Sequence, residues 1–184
     1  MTPMITVDAS VHINALNPAE TGSAASKAFL DWLQQERLSI VSPTLLLVEI
    51  ASAVARGKND GKLGIEAMRH LRALPRHTWL PLDPAMAMAA ATIGASYRLR
   101  GADAVYAAAA QHAGSVLVTA DRQQLERLRD AVPVMSPPDA LSQLPDILAH
   151  FAKDVDKAKS DKDNGVKLVE YLAGKRPKDG EREV

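Results

Sequence analysis

The chain has no cysteine among its 184 residues. This absence excludes disulfides, cysteine-ligated zinc sites and thiol nucleophiles, and it allows a reducing compartment without proving one. The histidines are few and scattered, at His12, His70, His77, His112 and His150. None has a second histidine at the i, i+4 spacing that puts two imidazoles on one face of a helix. A metal ion bound by this chain would therefore be held mainly by oxygen.

The sequence also lacks net charge and long apolar runs. Its 22 basic residues balance 22 acidic ones, so no overall positive field attracts nucleic acid or a membrane surface, and binding to a polyanion must be local. No basic segment precedes a long apolar core at the N-terminus, and no apolar run reaches the length of a membrane span. We therefore expect a cytoplasmic protein with no membrane partner.

Short apolar strands alternate with helical segments along most of the chain. The predicted strands are "MITV", "LSIV", "TWLPL", "SVLVT" and "VPVM". Helix starts are predicted at Ser42 with Pro43 and at Asp83 with Pro84, and Gly114 is predicted to end an alanine-rich helix. Because parallel neighbours need a crossover connection, this alternation predicts a parallel sheet with helices on both faces.

The composition changes after the segment "SPPDAL". From about Lys153 onward the chain is dominated by interspersed Lys, Asp and Glu, with a weakly amphipathic "GVKLVEYLAG". We predict one domain over residues 1–138 and a charged C-terminal appendage over residues 139–184, partly helical or disordered. Truncation after about Pro138 is expected to leave a folded, active domain.

Four carboxylates stand in surroundings that carboxylates usually avoid. Asp8 ends the first strand, Asp121 follows "SVLVTA", and Asp103 lies in "RGADAVYAAAA". For each aspartate alone, capping of a nearby helix start is the simplest explanation. Glu49 is different, because its helical neighbours are apolar or small and no Lys or Arg lies three or four residues away. A buried unpaired carboxylate is costly, so Glu49 indicates a cation or hydrogen-bond partners.

These four acids can meet at one place in the predicted fold. Ligands in parallel sheets gather at the carboxyl ends of the strands, where Asp8 and Asp121 lie, and helices that carry Glu49 and Asp103 can close the sides of the same crevice. Hard oxygen ligands of this kind suit Mg²⁺ or Mn²⁺.

Four segments in order, "VDASV", "PTLLLVEIASAVAR", "LRGADAVYAAAAQHAG" and "LVTADRQQL", resemble the acidic blocks of the PIN domain family. The resemblance covers roughly residues 4 to 136 and is closest to the VapC-type toxin ribonucleases. It implies a PIN-like three-layer α/β/α sandwich with a central, mostly parallel sheet.

The resemblance also implies a site and an activity. The catalytic and metal-binding acids would be Asp8, Glu49, Asp103 and Asp121, and the supporting hydroxyls would be Ser10 and Thr119. The implied function is a divalent-metal-dependent endoribonuclease that uses Mg²⁺ or Mn²⁺, cleaves RNA through a metal-activated water, and leaves a 5′-phosphate and a 3′-hydroxyl. The implied partners are RNA, a VapB-like antitoxin and a second copy of the chain, which would make the protein the toxin of a type II toxin-antitoxin pair.

Other functions remain open at this point. A catalytically silent PIN-like RNA-binding or assembly module would keep the fold without turnover, and a housekeeping RNA-processing nuclease would keep the chemistry without an antitoxin. A phosphotransfer receiver would need a second acid beside Asp8 and a lysine after a late strand, and neither is present. A HAD-type phosphatase would need Asp-x-Asp, whereas Asp8 is followed by Ala9 and Ser10.

Overall fold

The computed structural model describes residues 4–160 of the chain. In chain order its elements are β1 (Met4–Val7), α1 (Ala9–Ala15), α2 (Ser23–Gln35), β2 (Ser39–Pro43), α3 (Leu45–Lys58), α4 (Gly61–Arg72), β3 (His77–Leu80), α5 (Pro84–Tyr97), α6 (Gly101–Ala113), β4 (Val116–Val118), α7 (Arg122–Arg127), β5 (Val134–Met135) and α8 (Pro137–Ser160). The predicted amphipathic segment "GVKLVEYLAG" lies outside the described residues.

The five strands form one sheet in the order β3-β2-β1-β4-β5, and every neighbouring pair is parallel. Helices connect the strands, as parallel pairing requires. Buried strands of this kind need apolar residues on both faces, which the runs "MITV" and "VLV" supply. The predicted α/β class, a three-layer sandwich around a central parallel sheet, is confirmed.

Two apolar clusters cover the two faces of the sheet. Val116 and Val118 belong to one cluster, whereas Leu117 between them belongs to the other. This alternation follows from the opposite directions of successive side chains in a strand. The sheet is therefore a buried middle layer, and the carboxyl ends of its strands are the natural place for a site.

The predicted helix start at Ser42 and Pro43 is wrong. Both residues belong to β2 and pair with Trp79 and Leu80 of β3. Ser42 is fully buried, and its Oγ lies 2.8 Å from Nε2 of His77. Pairing with a neighbouring strand thus overrides the local Ser-Pro signal, and helix α3 begins only after Thr44.

Two other predicted helix boundaries are confirmed. The Asp83 side chain accepts a hydrogen bond from the Met86 backbone N–H at 2.8 Å, with Pro84 in the first turn of α5. Gly114 ends α6 in the left-handed conformation, at φ 58°, which glycine adopts without a steric penalty. Strand β4 follows this boundary and lies within the predicted segment "SVLVT".

The C-terminal part of the described chain forms helix α8. Ala140 and Leu144 are fully buried in the cluster that also contains Phe29 and Leu33 of α2. The domain boundary after residue 138 remains a prediction, but these contacts favour a compact unit that continues into α8. Within residues 4–160, no helix is both long enough and apolar enough to cross a bilayer.

Candidate active site

Asp8 lies where β1 ends and is only 4% exposed. Its backbone N–H donates to the Val118 carbonyl of β4 at 2.9 Å, which fixes the residue between two strands. Its Oδ2 accepts from the Ser10 backbone N–H at 3.2 Å and from Thr119 Oγ1 at 3.1 Å, and also from the Ser10 hydroxyl. Burial raises the pKa of Asp8, while the hydrogen bonds from Ser10 and Thr119 act in the opposite direction.

The two hydroxyls predicted to support the site also link its two halves. Ser10 Oγ accepts from the Ala120 backbone N–H at 3.0 Å, and Thr119 Oγ1 accepts from the Asp121 backbone N–H at 3.1 Å. The two hydroxyl oxygens lie 3.3 Å apart. The end of β4 is thereby held against the start of α1, beside the Asp8 carboxylate.

Glu49 projects from α3 and is partly buried. The Tyr106 hydroxyl of α6 donates to its Oε2 at 2.6 Å. Burial raises the pKa of Glu49, the Tyr106 hydrogen bond lowers it, and the negative charges of Asp8 and Asp103 raise it again. Tyr106 is itself fully buried, and its pKa is raised above the usual value, first by burial and then by the Glu49 charge.

Asp103 lies inside the first turn of α6, where Arg100 is the N-cap residue. Its Oδ1 accepts a hydrogen bond from Nε2 of Gln124 at 3.2 Å. Burial raises the pKa of Asp103, and the charges of Asp8 and Asp121 raise it further, while Arg100 lowers it. Asp103 is therefore not the N-cap residue of α6, although a hydrogen bond from the Arg100 backbone N–H also lowers its pKa.

Asp121 does cap a helix. Its Oδ1 accepts from the backbone N–H of Gln123 at 2.7 Å and of Gln124 at 3.4 Å at the start of α7. Its Oδ2 lies 3.9 Å from NH1 of Arg100, whose side chain is 71% exposed. An exposed pair at this distance contributes little, so the acidic character of the site is largely retained.

The structure brings all four predicted acids to one region. The charge of Asp8 raises the pKa of Glu49 and of Asp103, and the charge of Asp121 raises the pKa of Asp103. The donors are all oxygens, which fits a hard divalent cation such as Mg²⁺ or Mn²⁺. Within residues 4–160, however, no three His, Asp or Glu side chains are grouped tightly enough to form a ready-made metal site. The donor chemistry therefore fits the cation, although the four carboxylates stand apart without it.

Comparison with known families assigns the chain to one of them. A PIN domain model matches residues 5–131, which include all four acids. The chain belongs to the PIN domain family. The predicted family resemblance is therefore confirmed, and its match begins and ends close to the predicted range of residues 4 to 136. No curated protein sequence matches the chain significantly.

Solved structures share the PIN fold. The structure of FitAB bound to an IR36 DNA fragment is 26% identical, with a TM-score of 0.56, and the match covers 73% of this chain and 95% of that chain. VapBC2 from Rickettsia felis bound to a promoter DNA fragment is 13% identical, covering 72% and 98%, with a TM-score of 0.55. Mycobacterium tuberculosis VapC20, a sarcin-ricin loop cleaving toxin, is 15% identical, covering 66% and 93%, with a TM-score of 0.55.

Sequence reasoning missed two residues of this candidate site, Tyr106 and Gln124. Each lies three residues after an acid of the site, Asp103 and Asp121 respectively, and thus on the same side of its helix. Each donates to an acid on a different helix. The i, i+3 spacing was visible in the sequence, but the identity of the acceptor depends on how the helices pack.

Proposed function

We propose that this PIN domain protein is a divalent-metal-dependent endoribonuclease and the toxin of a type II toxin-antitoxin pair. The observation that carries the proposal is the group of Asp8, Glu49, Asp103 and Asp121 at the carboxyl edge of the sheet. Burial disfavours the charged forms of the first three, and repulsion from neighbouring acids adds to this for Glu49 and Asp103, so the group is costly for the protein alone. A cation would offset that cost, which explains why the acids are present.

The proposed chemistry assigns a role to each side chain. Asp8, Glu49, Asp103 and Asp121 would hold the cation, which when bound lowers the pKa of a water molecule and stabilises the charge developing on a phosphate. Ser10 and Thr119 keep the Asp8 carboxylate in place through their hydrogen bonds. Tyr106 keeps Glu49 oriented.

The toxin assignment is supported by the kind of proteins that share the fold. FitAB and VapBC2 are complexes bound to DNA, and VapC20 is a sarcin-ricin loop cleaving toxin. By this similarity we propose an RNA substrate and a VapB-like antitoxin for this chain. A housekeeping nuclease would share the chemistry but would lack the antitoxin.

The proposed homodimer is supported by helix α5. Over its 14 residues, from Pro84 to Tyr97, the helix has no charged side chain, and Met88 is 69% exposed. A helix without a charged side chain on any face is normally covered, and a second copy of the chain would cover this one. Light scattering of the wild type and of Met88→Glu tests this, since the variant should be monomeric; a monomeric wild type would overturn the dimer.

RNA cleavage with and without a divalent cation tests the activity. Purified protein should cleave single-stranded or structured RNA with Mg²⁺ or Mn²⁺ and stop on addition of EDTA, and Asp8→Asn should abolish cleavage. Undiminished cleavage in chelator would exclude the proposed mechanism. RNA binding without turnover would favour the silent binding module.

Overexpression tests the biological role. The chain alone should arrest growth, and coexpression with a cognate VapB-like antitoxin should restore growth. Harmless overexpression of a protein that cleaves RNA in vitro would favour the housekeeping nuclease.

A further inference from the structure

Gln124 makes a contact that its sequence context does not predict. It is the third residue of α7, after the N-cap Asp121, and this Asp-x-x-Gln spacing is typical of a capping box, in which the Gln side chain accepts from the N-cap backbone N–H. In the structure, the Asp121 N–H donates to Thr119 Oγ1 instead. The Gln124 side chain turns inward and donates from Nε2 to Asp103 Oδ1 at 3.2 Å.

The inward position is unfavourable for the carbonyl oxygen of the Gln124 amide. Gln124 is 1% exposed, and its Oε1 has no hydrogen-bond partner among the residues that the structure describes. Turning the amide over would aim Oε1 at the Asp103 carboxylate, acceptor against acceptor, so Asp103 determines which end points inward. A buried carbonyl without a partner lowers stability, which indicates that the residue is present for its donor.

Gln124 also lies near a second acid of the site. Besides its hydrogen bond to Asp103, Gln124 lies close enough to Asp8 to lower the pKa of that carboxyl group. An amide is neutral, so it can hold a carboxylate without removing the negative charge that a cation needs. A Lys or Arg at this place would form an ion pair and compete with the cation.

We propose that Gln124 is a positioning residue that holds the Asp103 carboxylate towards Asp8, so that the site is partly organised before a cation binds. This inference rests on the proposed metal-dependent function. It assigns Gln124 no contact with the substrate. Its effect should appear in metal affinity and should be smaller once the site is saturated.

Substitution of Gln124 by an isosteric side chain without a donor tests this role. In Gln124→Met, Mn²⁺ binding measured by calorimetry on the full chain should weaken by about 10- to 100-fold, the usual cost of losing a partner of a metal ligand. RNA cleavage should fall at limiting Mn²⁺ and recover towards the wild-type kcat at saturating Mn²⁺. The control is Gln123→Met on the exposed side of the same helix, which should match the wild type in both measurements.

A measurement on the wild-type protein tests the same role without requiring that the Gln124→Met variant folds. In side-chain amide NMR, the Gln124 NH₂ resonances should shift during a Mg²⁺ titration, with the same midpoint as cation binding, while those of Gln123 stay in place. A Gln124 amide that does not respond to bound Mg²⁺, or a Gln124→Met variant with wild-type Mn²⁺ affinity, overturns the positioning role alone. A wild-type protein that binds neither Mn²⁺ nor Mg²⁺ overturns the metal-dependent function and this inference together.

Discussion

At the scale of single residues, Glu49 distinguishes a structural acid from a cation ligand. Glu49→Gln keeps the shape and the acceptor for Tyr106 but removes a charge that Asp8 and Asp103 repel. We expect a higher Tm without metal, because the raised pKa of Glu49 means that its charged form destabilises the fold near neutral pH. We also expect RNA cleavage at limiting Mn²⁺ to fall by at least about 10- to 100-fold, because that is the usual loss when a residue that only supports a metal ligand is changed.

Thermal melting with and without Mn²⁺, alongside the RNA cleavage assay, measures both effects of Glu49→Gln. Glu66→Gln on the exposed side of α4 is the matched control and should change neither. Full cleavage by the Glu49 variant at limiting metal would remove Glu49 from the site and leave a three-aspartate centre.

Tyr106 offers a second test at this scale. Tyr106→Phe removes the hydroxyl that donates to Glu49 and leaves the ring in the core. The loss of one hydrogen bond to a partly buried carboxylate should lower the free energy of unfolding by about 1 kcal/mol, and Mn²⁺ affinity should fall. Urea unfolding and calorimetry check this, with Tyr97→Phe as the control. If neither the free energy of unfolding nor the Mn²⁺ affinity changed in Tyr106→Phe, Tyr106 would serve packing alone.

At the scale of elements, the contact between α3 and α4 positions the helix that carries Glu49. The two helices approach each other closely at Gly64 of α4. A Cβ at this residue would lie 2.4 Å from the Ala51 carbonyl oxygen and 2.9 Å from the Ala55 Cβ, both in α3. Gly64→Ala should therefore force the helices apart and lower stability. Gly57→Ala, where no atom lies within 4 Å of the added Cβ, should raise it by up to about 1 kcal/mol through helix propensity.

Denaturant unfolding of the two glycine variants gives the comparison. A fall in Mn²⁺ affinity in Gly64→Ala alone would further show that α4 sets the position of Glu49. Equal stabilisation by both substitutions would contradict the close packing of α3 on α4.

Helix α8 provides another prediction at the scale of elements. Leu144 is fully buried against the cluster that contains Phe29 of α2, so Leu144→Ala should cost about 2–5 kcal/mol of stability. The exposed neighbour Gln143 is the control, and Gln143→Ala should leave the Tm unchanged. For the same reason, truncation after Pro138 should lower the Tm. A truncated chain with the wild-type Tm would restore the domain boundary expected from the sequence.

At the scale of the whole molecule, opposing groups set the pH dependence of stability. Burial lowers the pKa of His12 and of His77 to about 4, below the value of about 6.5 for an unfolded chain. Between these values the unfolded chain binds more protons, so the histidines favour unfolding as the pH falls. The raised pKa values of Asp8, Glu49 and Asp103 act in the opposite direction, because protonation relieves their burial.

Substitution of one buried histidine measures its contribution to the pH dependence of stability. In His12→Gln, the free energy of unfolding should fall less steeply between about pH 6.5 and pH 4 than in the wild type, because one proton-linked group is lost. Urea unfolding at several pH values measures the slopes. Identical slopes for His12→Gln and the wild type would contradict the lowered pKa.

The sequence alone determined the features that depend on local pattern. Strand and helix alternation fixed the parallel α/β class, and the order of the four acidic segments indicated the family, because periodicity and residue type act over a few positions of the chain. The isolation of Glu49 among apolar residues also indicated a partner. That partner includes Tyr106, 57 positions away along the chain.

The tertiary structure decided which distant residues meet. Ser42 and Pro43 have the local signature of a helix start, but pairing with β3 keeps them in a strand. Gln124 has the signature of a capping box, but it donates to Asp103 on another helix. Leu144 lies in a segment that composition assigned to an appendage, but it packs against α2. For Ser42 and Gln124, a local capping preference of about 1 kcal/mol is outweighed by contacts with residues far away in sequence. For Leu144, burial of an apolar side chain outweighs the charged composition of the segment that follows.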